Sequence, residues 1–244
     1  MMKNETCIRT GNAAWWFILL TVIVLLFVLT HIARTMDLPD RRVFLLFISI
    51  GGLLFLFLYK LTMIRYSRIF RFWDELPCHL CNLSTLISVY AAAVPSNAAR
   101  AYCVSIGLFC AVLAFLMPDA QSRNLKFFSL QALGFYGNHG LLACTSLCFF
   151  TFGLYTPQYR DIPALLGVVT ALLVTAHITN IVLRNTGINR EANYAFTFSP
   201  DNFILEKLFS RNPAVFWYLI PCYIPLAVLC VVEFTLLKLL SAIL

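Results

Sequence analysis

The sequence predicts an all-α fold, a polytopic transmembrane helical bundle with about seven spans. Two observations carry this prediction: 61% of the 244 residues are hydrophobic while only 12% are charged, and long apolar runs follow one another along the chain. A soluble domain carries roughly 25% charged residues, because its surface must be wetted. Lipid is therefore expected to be the solvent for much of this protein, whose mean hydropathy is +0.83.

Seven apolar runs are each long enough to cross the hydrocarbon core, which takes ~20 residues of helix. Proline suits the first turn of a helix, so Pro77 is expected to begin the third run, and Pro221 with Pro225 predicts a kink in the last. We expect one integral membrane domain without repeats. The runs cover residues 14–33, 43–63, 77–95, 101–117, 127–155, 162–183 and 214–240.

Lysine and arginine are distributed unevenly between the two sides of the predicted bundle. The N-terminus and the second, fourth and sixth connections hold 12 of the 18 basic residues. The positive-inside rule then predicts a cytoplasmic N-terminus and a C-terminus outside. A net charge of +7 that sits in connections suits anionic headgroups, so we expect membrane lipids, and not nucleic acid, as partners.

Polar side chains within the spans mark the candidate site, because they are expensive in lipid unless satisfied. The third, fifth and sixth spans each carry a polar stripe with one histidine, and these stripes are expected to meet in a pocket open toward the cytoplasmic leaflet. The expected binding residues are His79, Asn82, Thr85, Gln131, Asn138, Asn180, Arg184, Asn193 and Tyr194.

Two cysteines at the start of the third span suggest nucleophilic chemistry. Backbone amides at a helix start and a nearby imidazole favour the thiolate, so Cys78 or Cys81 is a candidate nucleophile with His139 or His177 as its base. The same residues leave two alternatives open, a zinc site and a redox dithiol. Zinc hydrolases usually add a carboxylate, and Glu233 is expected on a different helix near the opposite side. We therefore expect neither a metal nor a cofactor.

Three functional classes fit a polar intramembrane pocket. A small-solute transporter or a substrate-binding membrane subunit would tolerate loss of both cysteines, whereas an enzyme with a cysteine nucleophile would not. A purely structural scaffold would change only in stability when the histidines are substituted.

Three short motifs resemble the signature of the YwaF-type integral membrane proteins: LPCHLCNLS at residues 76–84, NHG at 138–140 and NYAF at 193–196. The resemblance runs from about the second span to the seventh. Distant animal relatives include a multi-pass acyltransferase that moves polyunsaturated acyl chains onto lyso ether phospholipids, using a cysteine and a histidine. The resemblance implies a bacterial plasma-membrane enzyme that forms an acyl-cysteine and passes the acyl group to a lysophospholipid. Its pattern centres on Cys81, with Cys78 as the alternative nucleophile.

Overall fold

A computed structural model describes residues 7–66, 72–118, 122–200 and 203–243. Throughout these ranges the regular structure is helical, and β-structure is limited to one isolated antiparallel bridge between Cys7 and Lys126. The predicted all-α class is therefore confirmed.

Nine α-helices lie within the described ranges, and two of them form one continuous rod because a π-helical turn, Cys103–Gly107, joins α4 to α5. Side-chain caps mark several starts: Asn12, Ser96 and Ser129 each accept a hydrogen bond from the first turn that follows. The helices are α1 Ala13–Arg34, α2 Leu38–Tyr66, α3 Leu80–Ala93, α4 Asn97–Tyr102, α5 Leu108–Leu116, α6 Leu130–Thr151, α7 Ile162–Asn185, α8 Phe203–Arg211 and α9 Tyr223–Ile243.

Within the described ranges, five helical segments are long and apolar enough to cross a membrane, and the protein is an integral membrane protein. These segments are Ala13–Arg34, Leu38–Arg65, Asn97–Leu116, Tyr159–Asn185 and Trp217–Ala242. The predicted spans at 77–95 and 127–155 correspond to α3, with 14 residues, and α6, with 22. Helix α3 is too short to be one of the five segments, and α6 contains too many polar residues and glycines to be recognised as a span from its composition.

Helix α6 lies at the centre of the bundle, which accounts for its composition. It packs against α1, α2, α3 and α5, and 13 of its 22 residues are buried. Glycines allow this close packing: a Cβ at Gly134 would lie 2.7 Å from backbone atoms of Tyr59 on α2. Because other helices surround α6, its polar side chains meet protein and need not meet lipid.

Helix α3 begins later than Pro77, so the predicted start of this span is wrong. The helix begins at Leu80, and His79 is extended with φ −74° and ψ 147°. The preceding residues instead cross to α7, where Leu76 and Cys78 pack with Ala176. This tertiary contact outweighs the preference of proline for a helical first turn.

The polar stretch between α7 and α9 contains structure that the apolar pattern does not predict. It includes α8, Phe203–Arg211, and a 3-10 turn, Trp217–Cys222, that contains Pro221. The last long helix therefore begins at Tyr223 rather than at residue 214, and Pro221 lies in the 3-10 turn before it.

Candidate functional site

One part of the candidate site lies between α3 and α6. The Thr85 hydroxyl on α3 donates a 2.9 Å hydrogen bond to Asn138 Oδ1 on α6. Both side chains are buried, and the Asn138 Nδ2 amide has no hydrogen-bond partner among the residues that the structure describes. The Cys81 thiol lies 3.8 Å from Asn82 Oδ1. The structure therefore places the predicted residues of the third and fifth spans on facing helices.

Cys81 is the second residue of α3, whose backbone amides at that end lack partners within the helix. The N-cap residue, His79, makes no side-chain cap to those amides. Helix starts of this kind stabilise negative charge nearby. Cys78 lies outside the helix and does not share this environment. The polar stripe on α3 therefore consists of Cys81, Asn82 and Thr85.

His139 follows Asn138 in the middle of α6 and is 3% exposed. Its Nδ1 lies 2.8 Å from the Phe135 carbonyl oxygen, one turn earlier in the same helix. A carbonyl can only accept, so Nδ1 carries the proton in this contact. The neutral ring then holds its lone pair on Nε2, which is the form that a general base requires.

A second part of the site joins α7 to the turn that follows it. Asn180 donates from Nδ2 to the Tyr194 carbonyl and to Thr197 Oγ1, and its Oδ1 accepts from the Tyr194 amide, all within 2.9 Å. His177 Nδ1 lies 3.0 Å from the same Thr197 hydroxyl, and its ring lies against Phe198 and Phe216. Asn180 thus fixes the turn, and His177 sits in an aromatic box beside it.

His79 and Cys78 connect the two parts. The His79 ring lies 5.3 Å from that of Tyr194 and 5.6 Å from that of Phe196. The Cys78 thiol hydrogen-bonds to Thr179 on α7, and the Tyr194 hydroxyl donates to the Trp73 carbonyl. The segment before α3 is therefore held against α7 and its turn.

Three predicted residues make other contacts. Gln131 lies on α6 with its Nε2 3.4 Å from the Met63 sulfur on α2. Arg184 donates to the Ala192 carbonyl and lies over the Phe198 ring. Asn193 bonds Ser199 within its own turn. The last two support the turn after α7, whereas Gln131 stands apart from it.

Sequence reasoning missed the strained backbone of this turn. Ala195 and Phe196 adopt φ of 50° and 57°, and Phe216 adopts 67°. Such values are uncommon without glycine, and they gather where Phe196 and Phe216 contact the His79 and His177 rings. A run of ordinary residues gives no signal for this conformation. The role of Thr197, which joins His177 to Asn180, was missed for the same reason.

A metal centre has no support in the described part of the chain, where no three His, Cys, Asp or Glu side chains gather to hold an ion. All nine cysteines lie within the described ranges, and none of them forms a disulfide there. Glu233 lies on α9 and accepts a hydrogen bond from Ser105 of the π turn.

Comparison with known proteins gives one result. The TMEM164 family, a family of membrane proteins, matches residues 9–234. No curated protein and no solved structure matches the chain.

Proposed function

The chain belongs to the TMEM164 family, and from this we propose that it is a membrane-embedded acyltransferase acting on phospholipids and lysophospholipids. Cys81 is the nucleophile and forms an acyl-enzyme, and His139 is its base. The resemblance of its motifs to the YwaF-type proteins supports the same chemistry. The substrate already resides in the bilayer, so a site inside the bundle can receive it directly.

The observation that carries this proposal is the hydrogen bond from His139 Nδ1 to the Phe135 carbonyl. It fixes the ring orientation and keeps the lone pair on Nε2, which is the role that an orienting partner has in a nucleophile–base pair. His177 does not have this constraint, because the Thr197 hydroxyl can either donate or accept.

The pairing of α3 with α6 supports Cys81 and His139 as partners. Cys81 and Thr85 lie four residues apart on one face of α3, about 6 Å along the axis. Thr85 holds Asn138, the residue before His139. The Asn138 Nδ2 amide is a buried donor without a partner in the described part of the chain, and such a donor suits a developing oxyanion.

The reaction follows from these roles. His139 Nε2 takes the Cys81 proton, and the sulfur attacks the ester carbonyl of a donor phospholipid, giving a tetrahedral oxyanion that Asn138 stabilises. The C–O bond then breaks, the lysophospholipid leaves with the proton from His139, and a thioester remains. An acceptor lysophospholipid hydroxyl then gives its proton to His139 and attacks the thioester carbonyl. The C–S bond breaks, the new phospholipid ester is released, and the Cys81 thiolate takes the proton back from His139.

Cys81 suits the nucleophile better than Cys78. It lies in the first turn of α3, where backbone amides stabilise a thiolate. Cys78 precedes the helix in a tight turn, in which its amide donates to the Leu76 carbonyl, and it packs against a cluster that includes residues of α7.

We also propose that α3 and α6 complete a seven-span topology in a bacterial plasma membrane, with the N-terminus cytoplasmic and the C-terminus outside. The 22 residues of α6 extend about 33 Å, which is enough for the hydrocarbon core. The 14 residues of α3 are apolar and extend about 21 Å, roughly two thirds of the hydrocarbon core.

Intact-mass spectrometry tests the enzymatic proposal. The purified protein is incubated with vesicles of diacyl phosphatidylcholine and phosphatidylethanolamine, alongside Cys81→Ala and Cys78→Ala variants. We expect an added acyl mass that hydroxylamine removes, present in wild type and in Cys78→Ala but absent from Cys81→Ala.

Cys78→Ala is the matched control, since it removes a thiol three residues away at the same end of the bundle. Loss of the adduct in Cys78→Ala with its retention in Cys81→Ala would transfer the nucleophile to Cys78. No adduct in folded, reduced wild type would contradict acyl transfer and favour the transport class.

A further inference from the structure

A cavity of about 320 Å³ opens at the end of the bundle where α1 begins and α5 ends. Two arginines, Arg9 and Arg123, line it together with polar Thr10 and Asn124, and neither arginine belongs to the site described above. The rest of its lining is apolar: Leu116, Met117 and Pro118. The cavity therefore combines two cations with an aliphatic wall.

The frame around this cavity is well ordered by hydrogen bonds. The Ile8 amide donates to the Leu125 carbonyl at 2.8 Å, and the Trp15 indole donates to the Phe115 carbonyl at 2.9 Å. Arg123 Nε donates to the Pro118 carbonyl at 3.0 Å. These contacts hold the segment before α1 against the connection between α5 and α6. The backbone on each side of the cavity is therefore fixed close to Arg9 and to Arg123.

The positive charge of the cavity is not neutralised by the part of the chain that the structure describes. Arg9 and Arg123 form no ion pair there; the one salt bridge among those residues joins Lys60 to Glu75. Arg123 uses Nε for the Pro118 carbonyl, which leaves its two terminal nitrogens as donors. Guanidinium groups of this kind bind phosphate oxygens with bidentate geometry.

The apolar side of the cavity continues onto a surface suited to lipid. Leu116 is 49% exposed and Met117 is 68% exposed. Phe128 and Leu130, at the adjacent start of α6, are exposed as well. A ligand that satisfies the whole cavity has an anionic phosphate at one end and hydrocarbon beside it.

We propose that this cavity binds the phosphate of a phospholipid headgroup, with Arg9 and Arg123 as its ligands and the acyl chains along Leu116 and Met117. The site stands on this cavity alone and does not depend on the acyl-transfer reaction. The same site can bind a lipid at the rim of the bundle whether that lipid is a substrate or a structural lipid.

Native mass spectrometry of the purified full-length protein in neutral detergent tests this site. The probes are palmitoyl-oleoyl phosphatidylglycerol, palmitoyl-oleoyl glycerol without phosphate, and inorganic phosphate. We expect the phosphatidylglycerol affinity to fall by about tenfold or more in the Arg9→Gln/Arg123→Gln double variant. Arg211→Gln, which removes one charge from α8 at the same end, is expected to retain it, as is the Lys207→Gln/Arg211→Gln double variant, which removes two.

The probes separate the possible sources of binding. Binding of palmitoyl-oleoyl glycerol is expected to be weak and equal in all variants, and inorganic phosphate is expected to bind far more weakly than the phospholipid. Equal loss in Arg211→Gln, or unchanged affinity in the double variant, would overturn the site. Inorganic phosphate binding as tightly as the phospholipid would overturn the lipid assignment. An Arg9→Lys/Arg123→Lys variant keeps the charge but loses the bidentate guanidinium groups, so its affinity is expected to lie between those of wild type and the glutamine variant, which guards against a folding defect in the latter.

Discussion

At the residue scale, hydrogen bonding distinguishes two histidines that look alike in the sequence. His139 bonds a backbone carbonyl in its own helix, so one tautomer is favoured. His177 meets a hydroxyl that also accepts from Asn180, and aromatic rings flank it. We therefore propose His139 as the base, with His177 in a supporting role among the aromatic rings of Phe198 and Phe216.

Asn138→Leu tests the proposed oxyanion donor. Leucine has a similar volume but no amide, so acyl-adduct formation is expected to slow by about 10²–10³-fold, the usual cost of losing one such donor. The rate is measured by intact-mass spectrometry at timed intervals, with the thermal midpoint recorded for each variant.

Gln131→Leu is the matched control on the same helix, because Gln131 contacts the Met63 sulfur rather than Thr85. It is expected to form the adduct at the wild-type rate. Equal slowing in both variants would count against a specific role for Asn138.

At the element scale, glycine sets how closely α2 and α6 approach. A Cβ at Gly134 would lie 2.7 Å from the Tyr59 N and Cα atoms, which side-chain rotation cannot relieve. Gly167 on α7 has no atom within 4 Å of such a Cβ. The same substitution therefore meets backbone at one glycine and open space at the other.

Gly134→Ala is expected to destabilise the protein by about 1–3 kcal/mol, since overpacking forces the two helices apart. Gly167→Ala is expected to be neutral or stabilising, because alanine favours the helix by about 1 kcal/mol over glycine. Thermal unfolding in detergent micelles, followed by circular dichroism, measures both. Comparable midpoints for the two variants would contradict close packing at Gly134.

The apolar pattern predicts helices better than it predicts their ends and their neighbours. Long runs such as α1 and α2 are visible because lipid-facing residues must be apolar. The start of α3 differs from the predicted one because the segment before it turns at Pro77 and packs against a cluster that includes α7. The turn at Ala195 and Phe196 was not foreseen, since its positive φ values depend on Asn180 from another element. Residue types for the site were visible in the sequence, whereas their hydrogen-bond partners required the fold.

At the scale of the whole molecule, the arrangement of the helices decides which of them need to be apolar. Helix α6 carries Asn138 and His139 because four helices enclose it, while α1 exposes Phe17 and Phe27 on its outer surface. The hydropathy of the sequence therefore identifies the apolar helices as spans but does not identify the central helix α6. The seven-span topology follows if α3 and α6 cross the membrane as well as the five apolar segments.

Reporter fusions distinguish seven spans from five at two connections. If α3 and α6 both cross, a fusion after Ser96 lies outside and a fusion after Asn124 lies in the cytoplasm; if neither crosses, both positions reverse. A fusion after Met36 is outside and one after Asn189 is cytoplasmic in either case, so these serve as internal controls. In a bacterial host, we expect alkaline phosphatase activity after Ser96 and fluorescence of green fluorescent protein after Asn124. The opposite pair of signals would leave His139 on a helix that does not span, and the intramembrane site would have to be abandoned.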